Sequence, residues 1–201
     1  LYPLLSKWIR ELSPQVVVEI GSGQGIVSSK IDILGKRYIG IEPSKTLNER
    51  ASALYSTDNK KFLDGTAYDT SLPSESVDLV FSLGVWFHIK DLDRAHKEMA
   101  RILKRNGQLM IITANPKLYH VWESWFIDPK KDGNVMTGGF KVSSRIMSKN
   151  IFYLHNEEEL IKSLSSNGFN VLSVEKLGFG TKGEYTGVDE GCWMVITASK
   201  N

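Results

Sequence analysis

Cysteine is nearly absent. The 201-residue chain has one, Cys192, so no intrachain disulfide can form and a cysteine-rich zinc module is excluded. Long apolar runs are missing too; none approaches the roughly 20 residues that span a bilayer as a helix. Neither sign of charge dominates: 25 Lys plus Arg stand against 23 Asp plus Glu, a net of +2. That balance argues against nucleic acid as a partner, because its binders usually carry a marked basic excess. No motif recurs at a spacing of roughly 20–50 residues, which excludes solenoids and propellers. No signal peptide is legible either. Leu1-Tyr2-Pro3-Leu4-Leu5 is too short for a signal's apolar core, and Lys7 and Arg10 follow it. A cytoplasmic location without membrane association is therefore expected. The chain opens at Leu1 and not at Met, which leaves room for an upstream segment.

What is present is an ordinary globular balance, 41% hydrophobic and 24% charged, at a length that suits one domain over residues 1–201. Short apolar runs rich in β-branched residues recur at 16–20, 38–41, 77–81 and 109–113. Strands apolar throughout need cover on both faces, the mark of a parallel sheet between helices. Residues 91–105 place Leu92, Ala95, Met99, Ile102 and Leu103 on one helical stripe behind Asp91, with Gly107 beyond the end. Residues 157–167 open with Asn156 and Glu159 in capping-box spacing and stop at Gly168. Runs at 171–174 and 193–198 have no room for a crossover helix between them, so they form an antiparallel hairpin. The expected fold is a doubly wound α/β sheet of seven mostly parallel strands with that hairpin at its C-terminal end. Residues 115–151 show no sustained period, and an insertion of this length reads as a lid or substrate-binding loop.

The most informative stretch is Glu19-Ile20-Gly21-Ser22-Gly23-Gln24-Gly25. A strand ends at Ile20, the chain turns through three glycines, and a helix is expected to begin near Gly25. Such a turn lets a ligand approach the backbone closely. Glu42, at the end of the second strand, is placed to accept both hydroxyls of a ribose. A nicotinamide-dependent oxidoreductase would need glycine where Ile26 stands, and its pyrophosphate would be repelled by Glu19. A P-loop is excluded because no Gly-Lys-Ser/Thr triplet follows.

These residues resemble motif I and the ribose-binding acid of the Rossmann-like, class I S-adenosylmethionine-dependent methyltransferases. The resemblance continues through Gly65-Thr66-Ala67, Leu72-Pro73, Ser76-Val77-Asp78-Leu79-Val80 and the segment from Glu98 to Gly107, all similar to the small-molecule, type-11-like branch. It implies S-adenosyl-L-methionine as cofactor and a small-molecule acceptor. It also implies that Gly21, Ser22, Gly23 and Gly25 line the cofactor and that Glu19 acts on its methionine amino end. Glu42 would hold the ribose diol, Thr66 and Ala67 would face the adenine, and Ser82 with Leu83 would close the pocket. Many relatives carry an acid where Thr66 stands, and Asp64 is one residue too early to replace it. A non-catalytic subunit that binds the cofactor remains the alternative, because fold does not fix function.

Absences narrow the subclass. Ser82-Leu83-Gly84-Val85 supplies neither the Pro-Pro-aromatic signature of base amino-methyltransferases nor the carboxylates of metal-dependent catechol enzymes; no metal is expected. Cys192 reads as a packed core thiol and not as a nucleophile. His88, just past the fourth strand, is the candidate general base, with Trp86 beside it on the acceptor side. Tyr119 and His120 are rivals for the acceptor site, whereas His96 falls on the polar side of its helix and reads as solvated. Trp122, Trp125 and Phe126 form either an aromatic lid over the acceptor or a small satellite core under a long loop.

The net charge conceals a division. Residues 101–150 hold nine Lys or Arg against three acids, a segment charge of +6, which leaves 16 against 20, or −4, elsewhere. A basic insertion suits an anionic acceptor, since local positive potential raises encounter rates with anions.

Overall fold

The computed structural model describes residues 1–33, 35–123, 126–142, 145–179, 185–187 and 191–201. Helix α1 (Tyr2–Leu12) carries Pro3 in its first turn and stops at Ser13, which adopts φ 46. Strands β1 (Val16–Ile20) and β2 (Arg37–Glu42) follow, then α2 (Lys45–Tyr55), β3 (Lys60–Asp64), β4 (Val77–Leu83), α3 (Leu92–Ile102) and β5 (Leu103–Ala114). The chain continues through α4 (Tyr119–Glu123), β6 (Phe126–Asp132), β7 (Val135–Val142), β8 (Arg145–Tyr153) and α5 (Glu157–Ser166). It ends with β9 (Phe169–Phe179), the short β10 (Tyr185–Gly187) and β11 (Trp193–Lys200).

The main sheet runs β10-β9-β11-β5-β4-β1-β2-β3, seven strands as expected plus β10 at the edge. Strands β3, β2, β1, β4 and β5 are mutually parallel, and β11 runs antiparallel to both β5 and β9. The strands expected at the C-terminal end therefore do pair antiparallel. Strand order reverses between β1 and β4, and in open α/β sheets the ligand crevice lies beyond the carboxyl ends of the strands at that reversal.

Both faces are covered, as the apolar strands require. On one, Ala95, Met99 and Ile102 of α3 and Leu160 and Leu164 of α5 pack on Val18, Val80, Ile111 and Ile196. On the other, Leu5 and Ile9 of α1 meet Val17, Tyr38 and Leu79, and Phe126, Met136 and Phe152 join the same cluster. The capping box of α5 is formed: Asn156 Oδ1 accepts from Glu159 N at 2.9 Å, and Glu159 Oε2 accepts from Asn156 N at 3.0 Å. Among the described residues, no helix is long and apolar enough to cross a membrane.

Several expectations are corrected. The helix expected after Gly25 is a single 3-10 turn, Val27–Ser29. Ser28 and Ser29 each donate a hydroxyl hydrogen bond to the carbonyl three residues back, at 2.7 Å, the kind of local bonding that competes with a helical ladder. Helix α3 ends at Ile102 and not at 105, because Leu103 is extended and pairs with Val77. The segment 115–151 is not patternless: it holds α4 and most of an antiparallel sheet, β6-β7-β8. His96 is fully buried, not solvated: Leu92 and Met99 of the apolar stripe flank it on α3, and the Trp86 indole and Ser163 of α5 bond its ring.

Candidate functional site

A cleft of 450 Å³ lies at the strand-order reversal, floored by Ile20, Gly21 and Ile41 and walled by Tyr68, Gly84 and Val85. Of the loop residues expected to line it, Gly21 does and Ser22, Gly23 and Gly25 do not; the three glycines are fixed for different reasons. A Cβ on Gly21 would sit 2.3 Å from Val85, and one on Gly25, at φ +78, would sit 2.9 Å from both Phe62 and Tyr55. Gly23, at φ +53, faces open space. Its N–H donates to Glu42 Oε2 at 2.9 Å, while Ser44 N–H donates to Oε1 at 2.9 Å. Glu42 is 7% exposed and lines the cleft. A carboxylate has about four acceptor positions, so two remain for a ligand.

Glu19 is buried at the end of β1 and accepts a short hydrogen bond from the Tyr38 hydroxyl. Burial raises its pKa from the usual 4.5 to about 8, against the lowering effect of that hydrogen bond and with added repulsion from Glu42. The carboxyl is therefore mainly protonated at neutral pH, where an ionised group was expected, and it does not line the cleft. The adjacent Ser22 is buried, and its Oγ has no hydrogen-bond partner.

Thr66 and Ala67 do line the cleft. The Thr66 Oγ1, however, accepts from the N–H groups of Tyr68 and Asp69, each at 3.1 Å; it holds the turn. Asp64 stays exposed on β3. Ser82 and Leu83 are not lining residues. The Ser82 side chain turns into the sheet and donates to Ile20 O at 3.0 Å, so Gly84 and Val85 close the cleft instead. Tyr68, which sequence reasoning missed, adds a wall. Its hydroxyl accepts from Lys90 N and Asp91 N at 3.0 and 3.3 Å, a tie that no local sequence signal announces.

His88 lines the same cleft. Its ring packs on Phe87 and Phe152, with centroids 4.7 and 5.0 Å away, and partial desolvation lowers its pKa below the usual 6.5. Trp86 is no acceptor contact. It is fully buried, and its Nε1–H donates to His96 Nε2 at 3.0 Å. The same His96 ring reaches Ser163 Oγ through Nδ1 at 2.8 Å, and Ser163 donates to Asp93 at 2.6 Å. Because indole only donates, His96 must carry its proton on Nδ1, and the chain runs one way from Trp86 to Asp93. Its pKa is lowered to about 3 by burial, despite the Asp93 charge. A serine nucleophile needs an imidazole that accepts from it, so this trio is a structural tie.

Tyr119 and His120 are exposed on α4 and do not line the cleft. The Trp122 side chain and Trp125 lie outside the described residues. Phe126 is buried edge-on against Phe152 at 4.8 Å and joins the main core cluster with Leu5, Ile9 and Val17, not a separate satellite core. Cys192 is buried and its thiol is pushed up by desolvation, as suits a packed thiol. Among the described residues, no cluster of His, Cys, Asp and Glu could hold a metal. A larger groove of 760 Å³ lies between the starts of α3 and α5, lined by Asp91, Asp93 and Glu159 against Lys90 and Lys162. Its carboxylates already cap helices or bond Ser163, and it lies off the strand ends where ligands of this fold bind.

Residues 18–111 match the family described as a methyltransferase domain. A ubiquinone biosynthesis O-methyltransferase of Bradyrhizobium diazoefficiens is 31% identical over 101 residues, 49% of this chain and 40% of that protein. A tRNA U34 carboxymethyltransferase of Ruthia magnifica is 29% identical over 109 residues, 52% of this chain and 34% of that one. The chain spans about two fifths of the length of the curated relatives it matches first. A solved structure of a S-adenosylmethionine-dependent methyltransferase from Methanosarcina mazei superposes with a TM-score of 0.73 at 20% identity, covering 100% of this chain and 98% of that one.

Proposed function

We propose that the chain is a class I, Rossmann-like methyltransferase that uses S-adenosylmethionine, a reading supported by the family match over residues 18–111 and by the shared fold, and that it transfers a methyl group to a small-molecule acceptor. The observation that carries the proposal is Glu42, held at the mouth of the 450 Å³ cleft with two acceptor positions left over. That volume falls within the range of pockets for ligands of cofactor size.

The residues present fit the cofactor. Glu42 holds the ribose diol. Gly21 and Gly23 let the ligand approach the backbone, Gly23 presenting an open side and Ser22 an unpartnered buried hydroxyl beside it. Thr66 and Ala67 face the adenine, with recognition shifted to the Ala67 backbone and the Ile41 side chain because the Thr66 hydroxyl is committed to its turn. Gly84 and Val85 close the pocket in place of Ser82 and Leu83. When bound, the cofactor would supply an activated methyl group on a sulfonium, from which the acceptor would displace the sulfide in line. The protein's share is then positioning and exclusion of water. Glu19, neutral in the resting protein, sits behind the loop at the methionine end. His88 serves as the base on the acceptor side.

The acceptor is a small, anionic or aromatic molecule that reaches His88 past the β6-β7-β8 sheet. Lys130 and Lys131, exposed on β6, support an anion. Calorimetry with S-adenosylmethionine, S-adenosylhomocysteine and NAD tests the cofactor: both sulfur nucleotides bind and NAD does not. Failure of both to bind ends the reading. S-adenosylhomocysteine release is then assayed with phenols, small carboxylates and transfer RNA. Turnover confined to transfer RNA would overturn the small-molecule acceptor, and binding without turnover would favour a non-catalytic subunit.

A further inference from the structure

We propose that the Ile151 backbone carbonyl, on strand β8, selects the tautomer of His88, so that the β6-β7-β8 sheet makes Nε2 the proton-accepting nitrogen for a hydroxyl acceptor. The chemical purpose rests on the methyltransferase reading; the tautomer itself does not.

His88 Nδ1 lies 3.3 Å from Ile151 O. A carbonyl oxygen only accepts, so a neutral ring bonded to it carries its hydrogen on Nδ1 and leaves Nε2 as the lone-pair nitrogen. This is the reverse of the tautomer that prevails in free histidine, and β8 imposes it through two adjacent residues. Ile151 supplies the carbonyl, and Phe152 stands edge-on to the imidazole at 5.0 Å with an interplanar angle of 85°. Phe152 also packs against Phe87 at 4.2 Å and is buried to 1% exposure. The strand is therefore anchored in the core and cannot drift from the ring without opening an aromatic cluster.

The histidine's own backbone is pinned on both sides. Trp86 is tied to His96, and Ile89 O accepts from His155 Nε2 at 2.6 Å. Lys90 and Asp91 are tied to the Tyr68 hydroxyl. The ring thus has one hydrogen-bond partner of fixed position and one nitrogen free on a residue that lines the cleft. Packing lowers the ring's pKa, so the lone pair is present at neutral pH. The other ionisable groups lining that cleft are Glu42 and Tyr68. In the transfer, the acceptor oxygen bonds the methyl carbon as the carbon–sulfur bond breaks with its pair left on sulfur. The hydroxyl proton moves to Nε2, and the resulting imidazolium keeps its Nδ1–H on Ile151 O.

The test needs no cofactor. Long-range proton–nitrogen correlation spectra of histidine-labelled protein are recorded at about pH 8, above the ordinary histidine pKa, with His88→Gln identifying the resonances. The expected result is a protonated Nδ1 and an unprotonated Nε2 in the parent. Phe152→Leu, checked by spectral dispersion to be folded, should move both nitrogens toward the averaged shifts of a freely exchanging ring. An Nε2–H tautomer in the parent, averaged shifts there, or a Phe152→Leu ring identical to the parent's would each overturn the proposal. Absence of S-adenosylmethionine binding in calorimetry would instead overturn the methyltransferase reading and leave the tautomer standing.

Discussion

Replacing Glu42 by Gln is the sharpest probe of the cofactor cleft. The carboxylate accepts from Gly23 N–H and Ser44 N–H, one on each oxygen, both at 2.9 Å. A carboxamide has one oxygen, so one of those two donors meets an NH2 group and loses its partner. That loss is carried in the free and the bound protein alike and cancels from the affinity; it shows as a lower melting temperature. The affinity reports what the ligand loses, namely hydrogen bonds from a diol to a charged acceptor. Removing one or two of these costs roughly 1–3 kcal/mol, about 5- to 150-fold in Kd. The assay is calorimetric titration with S-adenosylmethionine and S-adenosylhomocysteine. Both carry the same ribose, so both should weaken by the same factor. A Kd within about twofold of the parent's for both ligands, against the fivefold minimum above, would refute the ribose assignment. A loss confined to the sulfonium form would show that Glu42 senses charge and not the diol.

Two further predictions concern the loop and the acid behind it. Gly25→Ala places a Cβ within 3.0 Å of Phe62, Tyr55 and Ala51 at φ +78, and urea melts should show a loss of about 2–5 kcal/mol, overpacking added to left-handed backbone strain. Gly23→Ala meets nothing within 4 Å, so its loss should be only the roughly 1–2 kcal/mol of left-handed backbone, while ligand affinity falls more than in Gly25→Ala. Equal affinities in the two variants would contradict the open side assigned to Gly23. Glu19 titrates at about 8 when folded against 4.5 for the ordinary group, so the folded state binds more protons between those values. Its stability contribution is complete below 4.5 and is lost as pH rises through about 8. His96, depressed to about 3, acts the opposite way below its usual 6.5, so the quantity to compare is the parent minus Glu19→Gln. That difference in urea midpoint should decline from acid to alkaline pH; a flat difference would mean that Glu19 is ionised in the folded protein.

The strand, glycine loop and Glu42 at the floor of the cleft were legible because they are local. A strand, three glycines and a terminal acid fall within residues 16–42, and each signals its conformation through its own chemistry. The capping box of α5 and the apolar runs of β1, β4 and β5 were readable for the same reason. The 3-10 turn after Gly25 was not, since only the bonds from Ser28 and Ser29 to Gly25 and Ile26 show why a helix fails there. The β6-β7-β8 sheet lacks clean alternation because Pro129, Gly138 and Gly139 interrupt it. The one signal available was Asp132-Gly133-Asn134, where Gly133 at φ 56 turns β6 into β7.

The proposed acceptor side, around His88, is a product of tertiary contact. His88 takes its place from Ile151, 63 residues on, and Trp86 is held by His96 on α3. Ile89 is held by His155, and the next two backbone N–H groups by Tyr68 from the far wall of the cleft. Each of these partners is an ordinary residue in its own sequence neighbourhood. Polarity alone assigns His96 to solvent, although Leu92 and Met99 of the apolar stripe flank it on α3, and Tyr68 stands in a turn with no signal of its own. Burial reverses that assignment for His96, because an indole donor and a serine acceptor satisfy both ring nitrogens without a charge. A neutral imidazole so bonded can lie in the core at little cost, and it fixes the segment that carries His88.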